Sequence, residues 1–289
     1  MSSITPIVTI GAAIAMLLCA ATIAAAHFTN SRANAFLTLL TGLVSVSICI
    51  TTRHIQVARA RRARTWPIPP FAPPKDAAPS QGEYFLFVLG SGGHTKEMLM
   101  MMDDGTPHQG SCHRRYLISS GDSMSESHLD EYEAAMRRGA SAPGTYDKRV
   151  VTRARRVHQP LWSTPWTSLL SIVDIFPALL SPPRNGAAKE GPKYPGLIFS
   201  NGPATGLPVA LAVHLLKVVG VVPHEAMKFV YIESWARIST LSLTGKLLYY
   251  TGIADAFYVQ HEEVAVKYGV MNAGQMVFNA QRPPPVTSS

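Results

Sequence analysis

The chain has 289 residues, 47% of them hydrophobic and 15% charged. That is too apolar for a disordered chain and too long for a disulfide-stapled miniprotein. The net charge of +8 is lopsided: residues 1–75 carry seven Lys/Arg and no Asp/Glu, against nineteen and eighteen over 76–289, so no basic globular face speaks for nucleic-acid binding.

The three cysteines, Cys19, Cys49 and Cys112, are odd in number and lack metal-type spacing. Neither a disulfide framework nor a metal site is expected, and no cofactor is expected.

Ile4 to Phe28 carries no charged side chain, and its 25 residues exceed what a hydrocarbon core of about 30 Å needs. A second uncharged run, Ala33 to Ile50, follows the polar break Asn30-Ser31-Arg32. Arg53, Arg59, Arg61, Arg62 and Arg64 come next, a basic flank that marks the cytosolic side and a membrane surface. The reading is an anchor over 1–64 with one span or a two-span hairpin. A cleaved signal peptide ending near Ala24-Ala25-Ala26 is the alternative, but the run has no basic start. Six prolines between Trp66 and Gly82 then make a stiff linker over 65–83.

From residue 84 short apolar runs alternate with helical stretches. Strands are expected at Tyr84–Leu89, Arg115–Ile118, Arg149–Val151, Leu197–Ser200, Phe229–Ile232 and Ala256–Val259. Helices are expected after Gly93, from Ser123 to Met136, and over Thr167–Leu180, Ala204–Val219 and Ser239–Tyr250. Continuous apolar strands alternating with helices predict a single α/β domain over 84–270, a doubly wound parallel sheet of the Rossmann-like kind. A loose tail is expected over 271–289.

Ligands of such sheets sit beyond the carboxyl ends of the strands. The first such loop is Gly90-Ser91-Gly92-Gly93-His94-Thr95. Its glycines let backbone approach a ligand, and the helix that follows offers free N–H groups to a phosphate or diphosphate. The spacing is neither a Walker A loop nor a dinucleotide fingerprint. His94 is suited to act as a base or a hydrogen-bond donor, and Glu97 follows one turn later. A ligand-free tight turn and a structural histidine are the plain alternatives.

Lys148, Arg149, Arg153, Arg155 and Arg156 gather five cations in nine residues, suited either to anionic headgroups or to a solvated face. Trp162 and Trp166, with Leu169 and Leu170, read as an interfacial patch or as core.

Several motifs in order then resemble one family. Gly90–Thr95 with Glu97-Met98, Ser200-Asn201-Gly202-Pro203, Tyr231-Ile232-Glu233-Ser234 with Ala236-Arg237, Leu241-Ser242 with Thr244-Gly245-Lys246, and Tyr258-Val259-Gln260 are similar to the membrane-anchor subunits of the two-subunit N-acetylglucosaminyltransferase of the dolichol pathway. The likeness runs from about Tyr84 to Gly269. A more distant likeness is to the N-terminal half of the bacterial glycosyltransferase that makes lipid II. The sequence departs after Gln260, where His261-Glu262 replaces a Trp-Pro pair.

The resemblance implies half of a GT-B glycosyltransferase, anchored at the endoplasmic reticulum membrane and facing the cytosol. It implies a soluble catalytic partner in a heterodimer, and GlcNAc transfer from UDP-GlcNAc to GlcNAc-diphospho-dolichol. It places the acceptor diphosphate on Gly90, Ser91, Gly92, Gly93, His94 and Thr95, with His94 as candidate base. Glu97, Asn201, Gly202, Pro203, Glu233, Ser234 and Arg237 would line the acceptor or the partner interface. A self-sufficient nucleotide-dependent membrane enzyme and a pure scaffold are the competing functions.

Overall fold

The structure is a computed structural model that describes residues 5–29, 31–62, 84–105, 112–139, 143–154, 159, 161–183, 192–202 and 205–274. Arg64, the proline-rich linker, Arg155, Arg156, Pro203 and the tail beyond 274 lie outside the described residues. The chain divides into two compact units, Met1–Arg64 with Val213–His224, and Thr65–Ala212 with Glu225–Ser289.

The first unit is built on α1 (Thr5–Thr29) and α2 (Arg32–Arg62). Gly42 of α2 lies against Leu18 of α1 so closely that a Cβ at Gly42 would overlap the leucine, which makes the pair a helical hairpin. Among the described residues, α2 is the helix long and apolar enough to cross a membrane. Its basic end is not uniformly exposed. Arg59 and Arg62 are exposed, whereas Arg61 is buried. Arg53 donates to the carbonyls of Lys217 (3.4 Å) and Val218 (3.3 Å), the last residues of α6 (Gly206–Val218), where a cation meets the negative end of the helix dipole.

The second unit holds seven parallel strands: β1 (Tyr84–Val88), β2 (His113–Ser119), β3 (Thr145–Val151), β4 (Leu197–Asn201), β5 (Lys228–Ile232), β6 (Ala256–Val259) and β7 (Met271–Asn272). Their order is β3-β2-β1-β4-β5-β6-β7. The connecting helices are α3 (Gly93–Gly105), α4 (Ser123–Gly139), α5 (Thr164–Leu180), α6, α7 (Leu243–Thr251) and α8 (Glu262–Tyr268). Successive β2 residues show that both faces are covered. Arg114 reaches Glu133 of α4, while Arg115 reaches the Ala178 carbonyl of α5, because neighbouring side chains on a strand point to opposite faces. The sheet is therefore doubly wound, as the alternating pattern predicts.

The core on the α3–α4 face centres on Phe87, stacked between Phe199 (5.3 Å) and Tyr116 (5.8 Å) and covered by Met98, Met101 and Leu129. Burying one such ring is worth about 1.5–3 kcal/mol.

Several elements differ from the predicted set. Strand β3 starts at Thr145, four residues before the expected Arg149, since its charged residues are buried or paired. Helix α8 follows β6, and strand β7 extends the sheet past residue 270, into the expected tail. Helix α7 starts at Leu243 and not at Ser239, because Ser242 caps it by accepting from the Gly245 N–H (2.9 Å).

Candidate functional site

Strand order reverses at β1: the chain moves outward through β2 and β3, then returns to place β4 on the other side. That switch point opens a crevice at the carboxyl end of the sheet. The ends of β1, β4, β5 and β6 supply Gly90–Thr95, Asn201-Gly202, Glu233-Ser234 and Gln260.

The glycine loop is shaped from beneath. The Thr95 hydroxyl donates to the Gly90 carbonyl, and Ser125 Oγ also reaches that carbonyl (3.0 Å) and Asp122 Oδ2 (2.8 Å). Gly92 has φ +60°, a left-handed conformation that favours glycine. A Cβ at Gly93 would meet nothing within 4 Å. Its backbone opens α3 onto free space, where an anion can approach the Gly93 N–H; the next three N–H groups, of His94, Thr95 and Lys96, donate to the Ser91 and Gly92 carbonyls.

His94 is held between two other glycines. A Cβ at Gly90 would stand 2.8 Å from the His94 Cβ, and one at Gly202 2.6 Å from Nδ1 of the ring. Asn201 Nδ2 donates to the His94 carbonyl (3.1 Å). The side chain keeps 26% exposure, and Nδ1 stands 3.5 Å from Glu97 Oε2, so Glu97 can stabilise a protonated imidazole.

Glu97 ties the rim together. It accepts from the Trp235 N–H (2.6 Å), Ser234 Oγ (3.0 Å) and Gln260 Nε2 (2.8 Å). Burial pushes its pKa up, but the adjacent His94 imidazole and the hydrogen bonds from Trp235, Gln260 and Ser234 outweigh that and leave it lowered. Glu233 serves the next loop. It accepts from Ser242 through N–H (2.9 Å) and Oγ (3.0 Å), from the Ser234 N–H (3.1 Å) and from the Tyr231 hydroxyl (3.2 Å). A Cβ at Gly245 would overlap its carboxylate. So Glu233 is buried at the N-terminus of α7, within hydrogen-bond reach of these partners and where the helix dipole favours an anion.

The structure thus gathers Gly90 to Thr95, Glu97, Asn201, Gly202, Glu233 and Ser234 at one rim. Arg237 is exposed and bonds through its N–H to the Ser234 carbonyl (2.9 Å). The described members of the cationic cluster face acids of this chain: Lys148 pairs with Asp130, Arg149 stands 3.9 Å from Asp147, and Arg153 stands 4.0 Å from Asp122. Trp162 and Trp166 are 81% and 71% exposed. Core packing, one of the two readings of these tryptophans, is therefore excluded. Gln260, Asp122 and Ser125 belong to the rim and were not among the sequence-derived site residues. The signals for them in the sequence are the helix start at Ser123, next to Asp122 and Ser125, and the Tyr258-Val259-Gln260 motif. Among the described residues no group of three or more His, Cys, Asp or Glu is arranged to hold a metal.

The family model described as "Oligosaccharide biosynthesis protein Alg14 like" matches residues 85–275, from β1 through β7 and every rim residue. The chain belongs to this family. Its Alg14-like relatives include the UDP-N-acetylglucosamine transferase subunit ALG14 of Debaryomyces hansenii, 33% identical over 188 residues, 65% of this chain and 73% of that protein. The protein of the same name from Homo sapiens is 31% identical over 195 residues, 67% of this chain and 82% of that protein. Among solved structures, MurG of Acinetobacter baumannii aligns over 63% of this chain and 43% of its own, at 14% identity and a TM-score of 0.37.

Proposed function

We propose that this chain is the membrane-anchoring subunit of an N-acetylglucosaminyltransferase that extends a lipid-diphosphate-linked GlcNAc. Helix α2 crosses the endoplasmic reticulum membrane, with the sheet domain on the cytosolic side of its basic end. The sheet domain is the acceptor half of a GT-B enzyme, and a soluble catalytic partner brings UDP-GlcNAc. The observation that carries the reading is the open backbone of Gly93, next to the left-handed Gly92, at the start of α3, beside a partly exposed imidazole in a family whose relatives bear the name of a transferase subunit.

In this reading the acceptor diphosphate rests on the α3 N-terminus. A hydroxyl of the acceptor GlcNAc attacks C1 of the donor sugar, and UDP leaves with the electron pair of the broken C1–O bond. The hydroxyl proton passes to the His94 imidazole, and the neighbouring Glu97 carboxylate stabilises the resulting cation. A buried Glu233 and Ser234 hold the loop between β5 and α7 in place.

The test is transfer from UDP-GlcNAc to GlcNAc-diphospho-dolichol with this chain alone, with its soluble partner, and with Gly93→Val or His94→Ala in the mixture. Activity only in the mixture, with Gly93→Val still co-purifying the partner but failing to transfer, is the expected outcome. Activity of the chain alone would replace the half-enzyme with a complete one. Full activity of Gly93→Val would leave a scaffold, and full activity of His94→Ala would remove the histidine from the chemistry.

A further inference from the structure

His261-Glu262, the pair at which the sequence departs from the resembled family, stands where β6 passes into α8, and both side chains have partners. Glu262, the first residue of α8, accepts from Asn272 Nδ2 of β7 (2.6 Å). His261 is the N-cap of α8. Its carbonyl accepts from the Ala265 N–H (3.0 Å), but its side chain makes no capping bond. The ring turns instead to the loop after β5, where Nε2 stands 2.6 Å from the Trp235 carbonyl and the two rings lie 5.8 Å apart. A carbonyl oxygen only accepts, so Nε2 carries hydrogen and donates. A neutral imidazole with its hydrogen on Nε2 and an imidazolium make this bond alike. A tryptophan at this place would also offer one ring N–H, so the replacement keeps a donor.

That bond completes a set of constraints on one short stretch. The Trp235 N–H donates to Glu97 Oε1 (2.6 Å). The peptide that follows is held at both ends: its C=O accepts from His261, and its N–H, that of Ala236, donates to Ser234 Oγ (3.3 Å). Ser234 Oγ donates in turn to Glu97 Oε2 (3.0 Å), the oxygen that stands 3.5 Å from His94 Nδ1. Gln260 donates from Nε2 to Glu97 Oε1 (2.8 Å) and to the Glu233 carbonyl (3.0 Å). Two consecutive residues after β6 thus hold the loop after β5, Gln260 at Glu233 and His261 at Trp235. Without the His261 donor the Trp235 carbonyl is free to turn to water, and rotation of that peptide draws Ser234 Oγ and the Trp235 N–H off Glu97.

We infer that His261 is a positioning residue of the rim: its ring N–H fixes Trp235, keeps the Trp235 N–H and Ser234 Oγ on Glu97, and so sets the Glu97 carboxylate beside His94. It acts through the loop and touches no substrate. Its effect on rate rests on the proposed function, whereas its hold on Trp235 does not.

Two variants separate the bond from the ring. His261→Gln keeps an N–H donor and removes the ring; His261→Phe keeps a ring against Trp235 and removes the donor. Hydrogen–deuterium exchange of the detergent-solubilised full chain, read by mass spectrometry, reports the hold on the loop. His261→Phe should speed exchange over residues 234–237 by about tenfold or more, while His261→Gln stays close to the natural chain and exchange in β2 and α4 is unchanged in both. If His261→Phe does not fold, His261→Ala takes its place with the same expectation. Unchanged exchange in the variant without a donor, or equal acceleration in His261→Gln, would overturn the inference, since the N–H would then not be what holds Trp235. Transfer from UDP-GlcNAc to GlcNAc-diphospho-dolichol by the full chain with its soluble partner reports the rate. His261→Phe should lower kcat about tenfold, with the KM for UDP-GlcNAc and co-purification of the partner unchanged, and His261→Gln should recover most of it. A natural kcat in His261→Phe despite faster exchange would overturn the positioning role, as would a change confined to KM. A natural chain that transfers no sugar with its partner would remove the proposed function and leave exchange to decide the hold on Trp235.

Discussion

At the carboxyl rim, Glu97 and Glu233 are held by amides, hydroxyls and one imidazole; on the two faces of β2, Glu133 and Asp147 are held by arginines. All four carboxylates are buried, and a buried carboxylate must be neutralised or hydrogen-bonded. The partners differ in where they come from. Glu133 takes Arg114 (3.0 Å) and the Tyr116 hydroxyl (2.6 Å), both from β2, and so fixes α4 to one strand. Glu97 takes donors from α3, from the loop after β5 and from the end of β6. One kind of site clamps a helix or strand to the sheet. The other sets the relative positions of loops that no backbone ladder fixes.

The largest effect should come from the clamp. Arg115 is fully buried, with two bonds of 2.7 Å to Asp147 and others to the carbonyls of Ala178, Ser181 and Pro182. Arg115→Met takes from Asp147 both of its short bonds, leaving His113 and Arg149 at 3.5 and 3.9 Å, and should cost about 3–5 kcal/mol, read as a lower urea midpoint of the detergent-solubilised chain. Adding Asp147→Leu should restore part of that stability, because no buried charge is then left alone. If the double variant is worse than the single, the pair does more than balance charge.

Glu97→Gln should behave differently. It keeps size but sets an amide N–H₂ against several donors, so it should cost about 1–3 kcal/mol in stability. Transfer by the assembled complex should fall more steeply, by about tenfold to a hundredfold, because small displacements of positioned groups are expensive in rate. A variant that loses stability and activity in the same proportion would make Glu97 a clamp like Glu133.

Acid should distinguish the two regions as well. Both Glu97 and Asp147 have depressed pKa values: burial works against this, while the neighbouring imidazole (His94 for the first, His113 for the second) and the hydrogen bonds each accepts, from Trp235, Gln260 and Ser234 or from Arg115, outweigh it. The stability each adds is present above the ordinary carboxylate range and is lost as pH falls through its lowered value. Urea midpoints measured from neutral pH downward should fall below that range, and Asp147→Asn should flatten the slope at the acid end. An unchanged slope would place the acid sensitivity elsewhere.

How far these regions were legible in the sequence follows the same division. The glycine loop was readable because three glycines and a histidine at the end of an apolar run have few other uses. The doubly wound order was readable from strand and helix alternation. Strand β3 was half missed: Thr145-Tyr146-Asp147-Lys148 looks like a loop until Arg115, thirty-two residues earlier, is seen to bury with Asp147. The work of Glu233 was equally hidden, since its partner Ser242 lies nine residues on with no periodic signal between them. Short elements such as β7 carry too few residues for any pattern. Position along the chain showed where backbone freedom was needed, but not which distant side chain would meet a buried charge.

Gly202 offers a smaller and more local probe of the rim. It has φ +78°, and a Cβ there would stand 2.6 Å from the His94 ring. Gly202→Ala should cost about 1–3 kcal/mol and turn His94 away from the crevice. Gly93→Ala, with open space and an ordinary φ, should stay within about 0.5 kcal/mol of the natural chain. Thermal unfolding of the two variants side by side tests whether the glycines divide into one that fits a ring and one that faces a ligand. Equal destabilisation would erase the distinction.

The smallest effect should come from the residue next to Asp147. Lys148 points to the other face of β3 and pairs with Asp130 at the surface, where the two side chains keep 32% and 58% exposure. Water and salt screen such a pair, so Lys148→Ala should cost less than about 1 kcal/mol. The contrast with Arg115→Met then comes from burial and not from the number of opposite charges in contact. If Lys148→Ala costs several times more than this, and the cost persists at high salt, the Asp130 pair is shielded from water, and the α4 side of β3 is packed as tightly as the Arg115 side.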